Sequence, residues 1–524
     1  MRYRQSMLTG TLVLVTASLV NRMLGFVYQI FLIRLIRAEG IGLFTMAYPI
    51  YILALVLASL GIPVAISKLV ADAVTRRDTT RAYQILRLSL LYTIISSLAV
   101  TVIGFTSARF LTGQVLSNPA TYLPFICLLP GVFIVSVCSV FRGFFQGFQN
   151  MTPTAVSQSA EQLTRVVTGL LLASILIPKG VVAAACGASL GAVCGELCGF
   201  ILMLSFFFRN HHLLPNMPRL SVLEAGFLTR EVFGLALPVT LTRFVSTGFL
   251  TLEAIFIPHR LIKSGFSTQE ATGMYGQFAG IAETMLYTPG LITVSLSTVL
   301  VPAIAEALIS RDNNLLSTRI NNALRLTFLT GLPSAAVLFL LPEDLCRIIF
   351  GYPNAGASLQ VLALGAPFLY LQQTTTGILQ GLGQPLVPFR NLVAASVFKA
   401  AGIYCLTGIP AFGIKGAAAS VVCGFGIMAV LNLHNLIQLT GCTVSVKEVL
   451  LKPLAASVAG AVVLYFSHNY FTAHTVQPAL DLFLSISFMA IGYIFVLIVL
   501  GGFTKRDYQR FSILFCKIFT AIKK

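Results

Sequence analysis

The most polar stretch of the chain reads Arg142-Gly-Phe-Phe-Gln-Gly-Phe-Gln-Asn-Met-Thr-Pro-Thr-Ala-Val-Ser-Gln-Ser-Ala-Glu-Gln-Leu-Thr-Arg165. It lies between two apolar runs, each long enough to cross a bilayer. Gly143, Gln146, Gly147 and Asn150 fall at i, i+3, i+4, i+7, and so do Gln158, Glu161, Gln162 and Arg165. Each set therefore lies on one face of a helix. Pro153 separates the two sets, and proline fits the first turn of a helix but not its interior. The spacing predicts two membrane helices meeting at a short cytoplasmic turn, with polar faces directed away from lipid and toward a water-filled cavity.

Composition agrees with a membrane setting. Of 524 residues, 56% are hydrophobic and 10% charged, and the mean hydropathy is +0.88. That is too little charge for a soluble surface of this size. Backbone groups in lipid must be satisfied within the segment, so the apolar runs are helices, and nothing shows the alternation of a membrane barrel. The first run follows Met1-Arg-Tyr-Arg-Gln without a small-residue cleavage site and is read as a span. The net charge of +18 sits in loops rather than on one basic face, which favours positive-inside topology over nucleic-acid binding. The ten cysteines form no CxxC pair and no Cys/His metal spacing, so no metal and no cofactor are expected.

The spanning length places helices near 8–33, 42–66, 84–107, 121–142, 154–177 and 181–208, and, beyond a polar connector, near 231–257, 276–302, 320–341, 357–381, 387–409, 414–439, 450–470 and 479–502. The expected fold is an all-α integral membrane protein of about 14 transmembrane helices. Its expected domains are an N-lobe over 1–208, a cytoplasmic connector over 209–230 with His211, His212, Pro215 and Pro218, a C-lobe over 231–440, and helices 13–14 with a basic tail over 441–524. Lys and Arg divide 19 to 8 between the two sets of loops, which puts both termini in the cytoplasm. A repeat shows through: Gly143-x-x-Gln146-Gly147 returns as Gly377-x-x-Gln380-Gly381, a proline opens the next helix in each copy (Pro153, Pro388), and a cation follows (Arg165, Lys399). Thr242-Arg243 with Gly248-Phe249 echoes Asn21-Arg22 with Gly25-Phe26 more loosely. Two six-helix lobes with a site between them and alternating access fit such repeats.

Ionisable side chains deep in spans mark candidate sites. Arg22 and Arg243 are mid-span, while Lys68, Arg142, Arg165 and Lys399 lie nearer the ends, where snorkelling to the interface competes. Among the acids, Glu161 reads as an i, i+4 ion pair with Arg165. Glu283 reads as a cavity wall or a salt bridge, and Glu196, beside Cys194, Gly195, Cys198 and Gly199, as a site of close helix packing. No Walker A loop, catalytic triad or paired catalytic carboxylates are present, so the chain is not read as an enzyme. A cavity holding Arg22, Lys68, Arg243, Arg165 and Lys399 would prefer an anionic head group such as a pyrophosphate. Gln146, Gln158, Gln162, Gln373 and Gln380 offer hydrogen bonds to sugars. These are the requirements of a flippase for lipid-linked sugars. The competing readings are a cation-coupled drug exporter using Glu161 or Glu283 for coupling or gating, and a non-transporting scaffold for cell-wall enzymes.

Several motifs then carry a resemblance: Asn21-Arg22-x-Leu-Gly25-Phe26, Glu39-Gly40-Ile-Gly42, Gly61-Ile-Pro63-Val-Ala-Ile-Ser67-Lys68, and Gly143-Phe-Phe-Gln146-Gly147 with Pro153 to Gln162. Together they resemble the stage V sporulation protein B family of the multidrug/oligosaccharidyl-lipid/polysaccharide exporter superfamily, along nearly the whole chain. The resemblance implies two six-helix lobes in a V-shaped, MATE-like arrangement plus two C-terminal helices. It implies transport of undecaprenyl-pyrophosphate-linked sugar, with membrane lipid and cell-wall synthesis enzymes as partners and no nucleic acid. It also implies a bacterial plasma membrane and a role in peptidoglycan for the spore cortex. Related lipid II flippases carry an essential arginine that matches Arg22 and a basic residue in the second span that matches Lys68. Where many of them have a second arginine, this chain has Tyr28.

Overall fold

The computed structural model describes residues 7–209, 222–310, 312–474 and 477–502, and these are helices joined by short turns, with no strand among the described residues. In order they are α1 (Met7–Ser59), α2 (Ile62–Thr75), α3 (Thr79–Phe110), α4 (Tyr122–Gly147), α5 (Thr152–Leu176), α6 (Val181–Arg209), α7 (Val222–Lys263), α8 (Thr268–Tyr275), α9 (Glu283–Tyr287), α10 (Gly290–Ile309), α11 (Asn313–Leu340), α12 (Pro342–Phe350), α13 (Gly356–Gly381), α14 (Leu386–Leu406), α15 (Gly413–Thr440), α16 (Lys452–His474) and α17 (Pro478–Val499). Most of the connector expected at 209–230, and the basic tail from Lys505, lie outside the described residues.

Thirteen helical stretches among the described residues are long and apolar enough to cross a membrane. The first runs Thr16–Thr75, 60 residues, or roughly 90 Å at 1.5 Å per residue, which holds both of the first two expected spans. With that stretch taken as two crossings, the count agrees with fourteen. The turn expected between them is a single break inside α1 at Arg37, whose φ of 63° and ψ of 176° fall in a region that non-glycine residues rarely adopt. The region of the eighth span also differs from expectation. The stretch long and apolar enough to cross is Gly290–Ile309, and ahead of it come α8, which opens on a reciprocal capping box of Ser267 and Glu270, and a π-helical turn (Gly276–Ala282) before α9.

The chain divides into two compact units. One holds the residues up to Thr284 together with Ser396–Ser420, and the other holds Met285–Ala395 together with the chain from Val421. The core of the first is an aromatic and aliphatic cluster in which Ile62, Ile66, Phe141, Phe144 and Val232 are buried. Its rings meet edge-on or tilted, as Phe141–Phe207 at 5.1 Å and Tyr83–Phe144 at 5.3 Å, the geometry that ring quadrupoles favour. The core of the second gathers Ile304, Ile320, Leu324, Ile378, Leu379 and Leu436.

The repeated Gly-x-x-Gln-Gly motif does the same packing task in each unit. In the first, a Cβ on Gly147 would lie 2.7 Å from Val70 Cβ, and one on Gly143 would meet the Pro63 carbonyl oxygen at 2.5 Å, so α4 lies directly on the backbone of α2. In the second, a Cβ on Gly381 would lie 2.8 Å from the Val301 carbonyl oxygen and one on Gly377 2.7 Å from that of Ser297, which seats α13 on α10. Apolar side chains give helices no solvent-driven reason to associate in lipid, so bare glycines that let backbones touch supply the attraction. Gly187, Gly191, Gly195 and Gly199 do this for α6 against α5.

Candidate functional site

The first unit holds a cavity of about 470 Å³. α1 supplies most of its wall, through Asn21, Gly25, Tyr28 and Gln29 before the break at Arg37 and Thr45, Tyr48 and Pro49 after it. The first four fall on one helical face by spacing. Gln162 and Arg165 of α5 lie on the wall, as do Thr247 and Glu253 of α7, Tyr275 at the end of α8, and Glu283 at the start of α9.

Several polar atoms on this wall have no hydrogen-bond partner among the described residues: Asn21 Oδ1, Tyr28 Oη and Arg165 Nε, all buried. Tyr28 is 6% exposed. Its ring lies on α5 at Gly169, where a Cβ would come within 2.6 Å of the hydroxyl oxygen. Native structures leave few such buried groups unsatisfied, so a cavity rimmed by them is built for water or a polar ligand.

Behind the wall is an ion network that ties four helices. Glu161 accepts from Arg142 at 2.8 Å and from Arg165 at 3.0 Å. Arg165 also faces Glu196 at 3.6 Å, and Glu196 accepts from the Tyr51 hydroxyl at 2.7 Å. The Glu161–Arg165 pair is the one expected from the i, i+4 spacing. The rest was not legible: Glu196 does sit on a glycine-rich packing face, yet its carboxylate is a network member, 4% exposed. Two arginines against two glutamates leave the network neutral, and charge-assisted bonds in a low-dielectric setting hold α1, α4, α5 and α6 in register. A second buried pair joins Lys399 of α14 to Glu253 of α7.

The expected site residues therefore separate into groups. Arg165 and Gln162 line the cavity, with Glu283 on its wall. Lys399 and Glu161 are engaged in ion pairs. Arg22 is exposed, next in sequence to Asn21 but not on the wall, and Lys68 and Arg243 are exposed on α2 and α7. Gln146 and Gln158 are half-buried off the wall, and Gln380 is exposed at the end of α13 in the second unit. Gly143 and Gly147, read as part of a polar cavity face, are packing surface instead, because α2 comes too close for anything but glycine. Sequence reasoning missed Tyr28, Asn21 and Glu253 as wall residues. The i, i+4, i+7, i+8 spacing of Asn21, Gly25, Tyr28 and Gln29 was the available signal.

Comparison with known proteins places this architecture. A family model for polysaccharide biosynthesis proteins matches residues 7–308, and a MatE model matches residues 279–405. The chain is 33% identical to stage V sporulation protein B of Bacillus subtilis (strain 168), over 85% of this chain and 86% of that protein. It is 24% identical to the lipid II flippase MurJ of the same organism, over 75% and 76% of the two chains. Among solved structures, a lipid II flippase MurJ in an inward closed conformation superposes with a TM-score of 0.74 at 15% identity, covering 93% of this chain and 98% of the other. An inward-facing multidrug-resistance MATE transporter superposes with a TM-score of 0.67 at 13% identity, covering 80% and 94%. The fold is thus that of the transporters to which MurJ and MATE belong, and the chain is a member of the polysaccharide biosynthesis protein family.

Proposed function

We propose that this protein is a flippase that moves an undecaprenyl-pyrophosphate-linked oligosaccharide from the cytoplasmic to the outer leaflet by alternating access, with a peptidoglycan precursor as cargo. The observation that carries the reading is the cavity, where partnerless Asn21 Oδ1, Tyr28 Oη and Arg165 Nε offer hydrogen bonds to a sugar or phosphate among helices of membrane-spanning length. Its volume of about 470 Å³ lies in the range of small-ligand sites, room for a head group while the polyprenyl tail stays in lipid. Membership of the polysaccharide biosynthesis family and similarity to a protein named as a lipid II flippase support the same substrate class. In this reading both termini are cytoplasmic. Exposed Arg22, one residue from the wall, meets the pyrophosphate as the cargo enters.

The test is translocation of a fluorescent undecaprenyl-pyrophosphate sugar in proteoliposomes holding wild type or Arg22→Ala. Transport by wild type and its loss in the variant, at equal protein incorporation, is expected. Full transport by Arg22→Ala would remove the arginine from the reading, and no transport by folded wild type would remove the substrate class. The exporter reading now rests on Glu283, since Glu161 is held by two arginines.

A further inference from the structure

The cavity is not the cationic chamber that the sequence suggests. Arg142 and Arg165 are matched by Glu161 and Glu196, and Lys399 by Glu253. Glu283 is the extra acid: it lines the cavity and feels Lys399 across from the closer Glu253, so this group holds two carboxylates against one ammonium. It is the first residue after the π-helical turn Gly276–Ala282, and such turns re-aim side chains at functional sites. Gln29 is fastened to this turn by an Nε2–H bond to the Gly280 carbonyl at 3.3 Å. Tyr28, 94% buried by its 6% exposure and with a partnerless hydroxyl, lies on the same cavity wall. The cavity thus offers one carboxylate in excess of its cations, beside neutral hydrogen-bonding groups and an arginine whose charge is already shared.

Two carboxylates sharing one ammonium in a membrane-embedded cavity call for a second positive partner. We propose that Glu283 binds a cationic centre of the transported head group, a primary ammonium, so that the cavity selects lipid-linked sugars bearing a free amine over neutral ones. This rests on the flippase reading and narrows its substrate class. An ammonium fits the site better than a bare alkali ion. One carboxylate with scattered amide and hydroxyl groups gives an ammonium its few directed bonds, whereas a hard cation held by protein needs a close shell of oxygens.

The experiment uses full-length protein in proteoliposomes and two probes: an undecaprenyl-pyrophosphate sugar carrying one primary amine, and the same lipid with that amine acetylated. Equilibrium binding of both probes to the purified protein is measured in parallel. Wild type should favour the amine by about tenfold or more, as expected for one charge-assisted bond. Glu283→Gln should bring the ratio close to one, and Glu283→Asp should restore part of it. A wild-type ratio near one, or a ratio that survives Glu283→Gln in a variant with an unchanged melting profile, overturns the proposal. Stabilisation of wild type by sodium over choline, lost in Glu283→Gln and without amine preference, would assign the site to an alkali ion instead. If neither lipid is transported the flippase reading fails, and the binding ratio still decides the role of Glu283.

Discussion

Replacing Lys399 by methionine should destabilise the protein far more than the loss of one contact suggests. The Lys399 and Glu253 side chains are 14% and 10% exposed, so neither finds much water when its partner is removed. Breaking a buried pair from one side leaves an uncompensated charge and costs about 3–5 kcal/mol. Here the penalty is aggravated because Glu283 lines the same cavity as Glu253, and the variant would leave two acids there with no cation between them. Removing both partners, as Lys399→Met with Glu253→Leu, takes the charge away altogether and should return stability to within about 1–2 kcal/mol of wild type, since apolar replacements of buried pairs are often neutral. The assay is a double-mutant cycle on unfolding free energies in mixed micelles. A coupling energy of at least about 2 kcal/mol is expected. Additivity of the two single changes to within about 0.5 kcal/mol would refute the reasoning, and with it the claim that these two side chains neutralise each other.

Two further outcomes follow from local geometry. Gly143→Leu and Gly377→Leu should each destabilise their own unit, by about 1–3 kcal/mol or more from overpacking. Each added side chain would drive into a neighbouring helix, at the Pro63 or Ser297 carbonyl. Heat challenge followed by size exclusion would show the loss, and a tolerated leucine at either site would contradict the packing. At the start of α8, outside the membrane spans, Glu270 accepts from the Ser267 backbone N–H at 2.9 Å and from its hydroxyl at 2.7 Å, and these bonds hold its carboxyl below the usual range. The capping box should therefore be fully present above about pH 4.3, the ordinary glutamate value, and be lost as pH falls through the lowered folded value. Hydrogen exchange across 268–272 should quicken in that acid window, and in Glu270→Ala at neutral pH; protection indifferent to both would count against the box.

Much of the architecture could be read from hydropathy and spacing, because a lipid solvent leaves the backbone few options. The fourteen spans, the Gly143 and Gly377 repeat and the Glu161–Arg165 pair follow from local rules. What escaped is tertiary. Tyr51 meets Glu196, and Glu253 meets Lys399, across about 145 residues of chain in each case. No periodicity reports which helix an acid will face. The signal that was available is the cost of an unpaired acid in a span, which asks for a partner even when it cannot name one. The start of α8 was legible too, in the Ser267-x-x-Glu270 start signal. Hydropathy passed over it because the first turns of that helix are polar. The same local blindness made the cavity look cationic, since positive side chains were counted without the acids that neutralise them.

The neutral bookkeeping of the buried pairs has an electrical consequence. The buried groups Arg142, Arg165, Glu161 and Glu196, and likewise Lys399 with Glu253, displace no net charge when they shift together across a membrane field. In the flippase reading these groups add no gating charge, and voltage acts on the cargo, on Glu283 and on exposed cations such as Arg22 and Arg243. At about 2.3 kcal/mol per elementary charge per 100 mV, an ammonium on the head group cancels one phosphate charge and removes that much of the electrical drive. In that reading, a difference in current per turnover between two lipids reports the chemistry of the lipid, since the protein's own contribution is common to both.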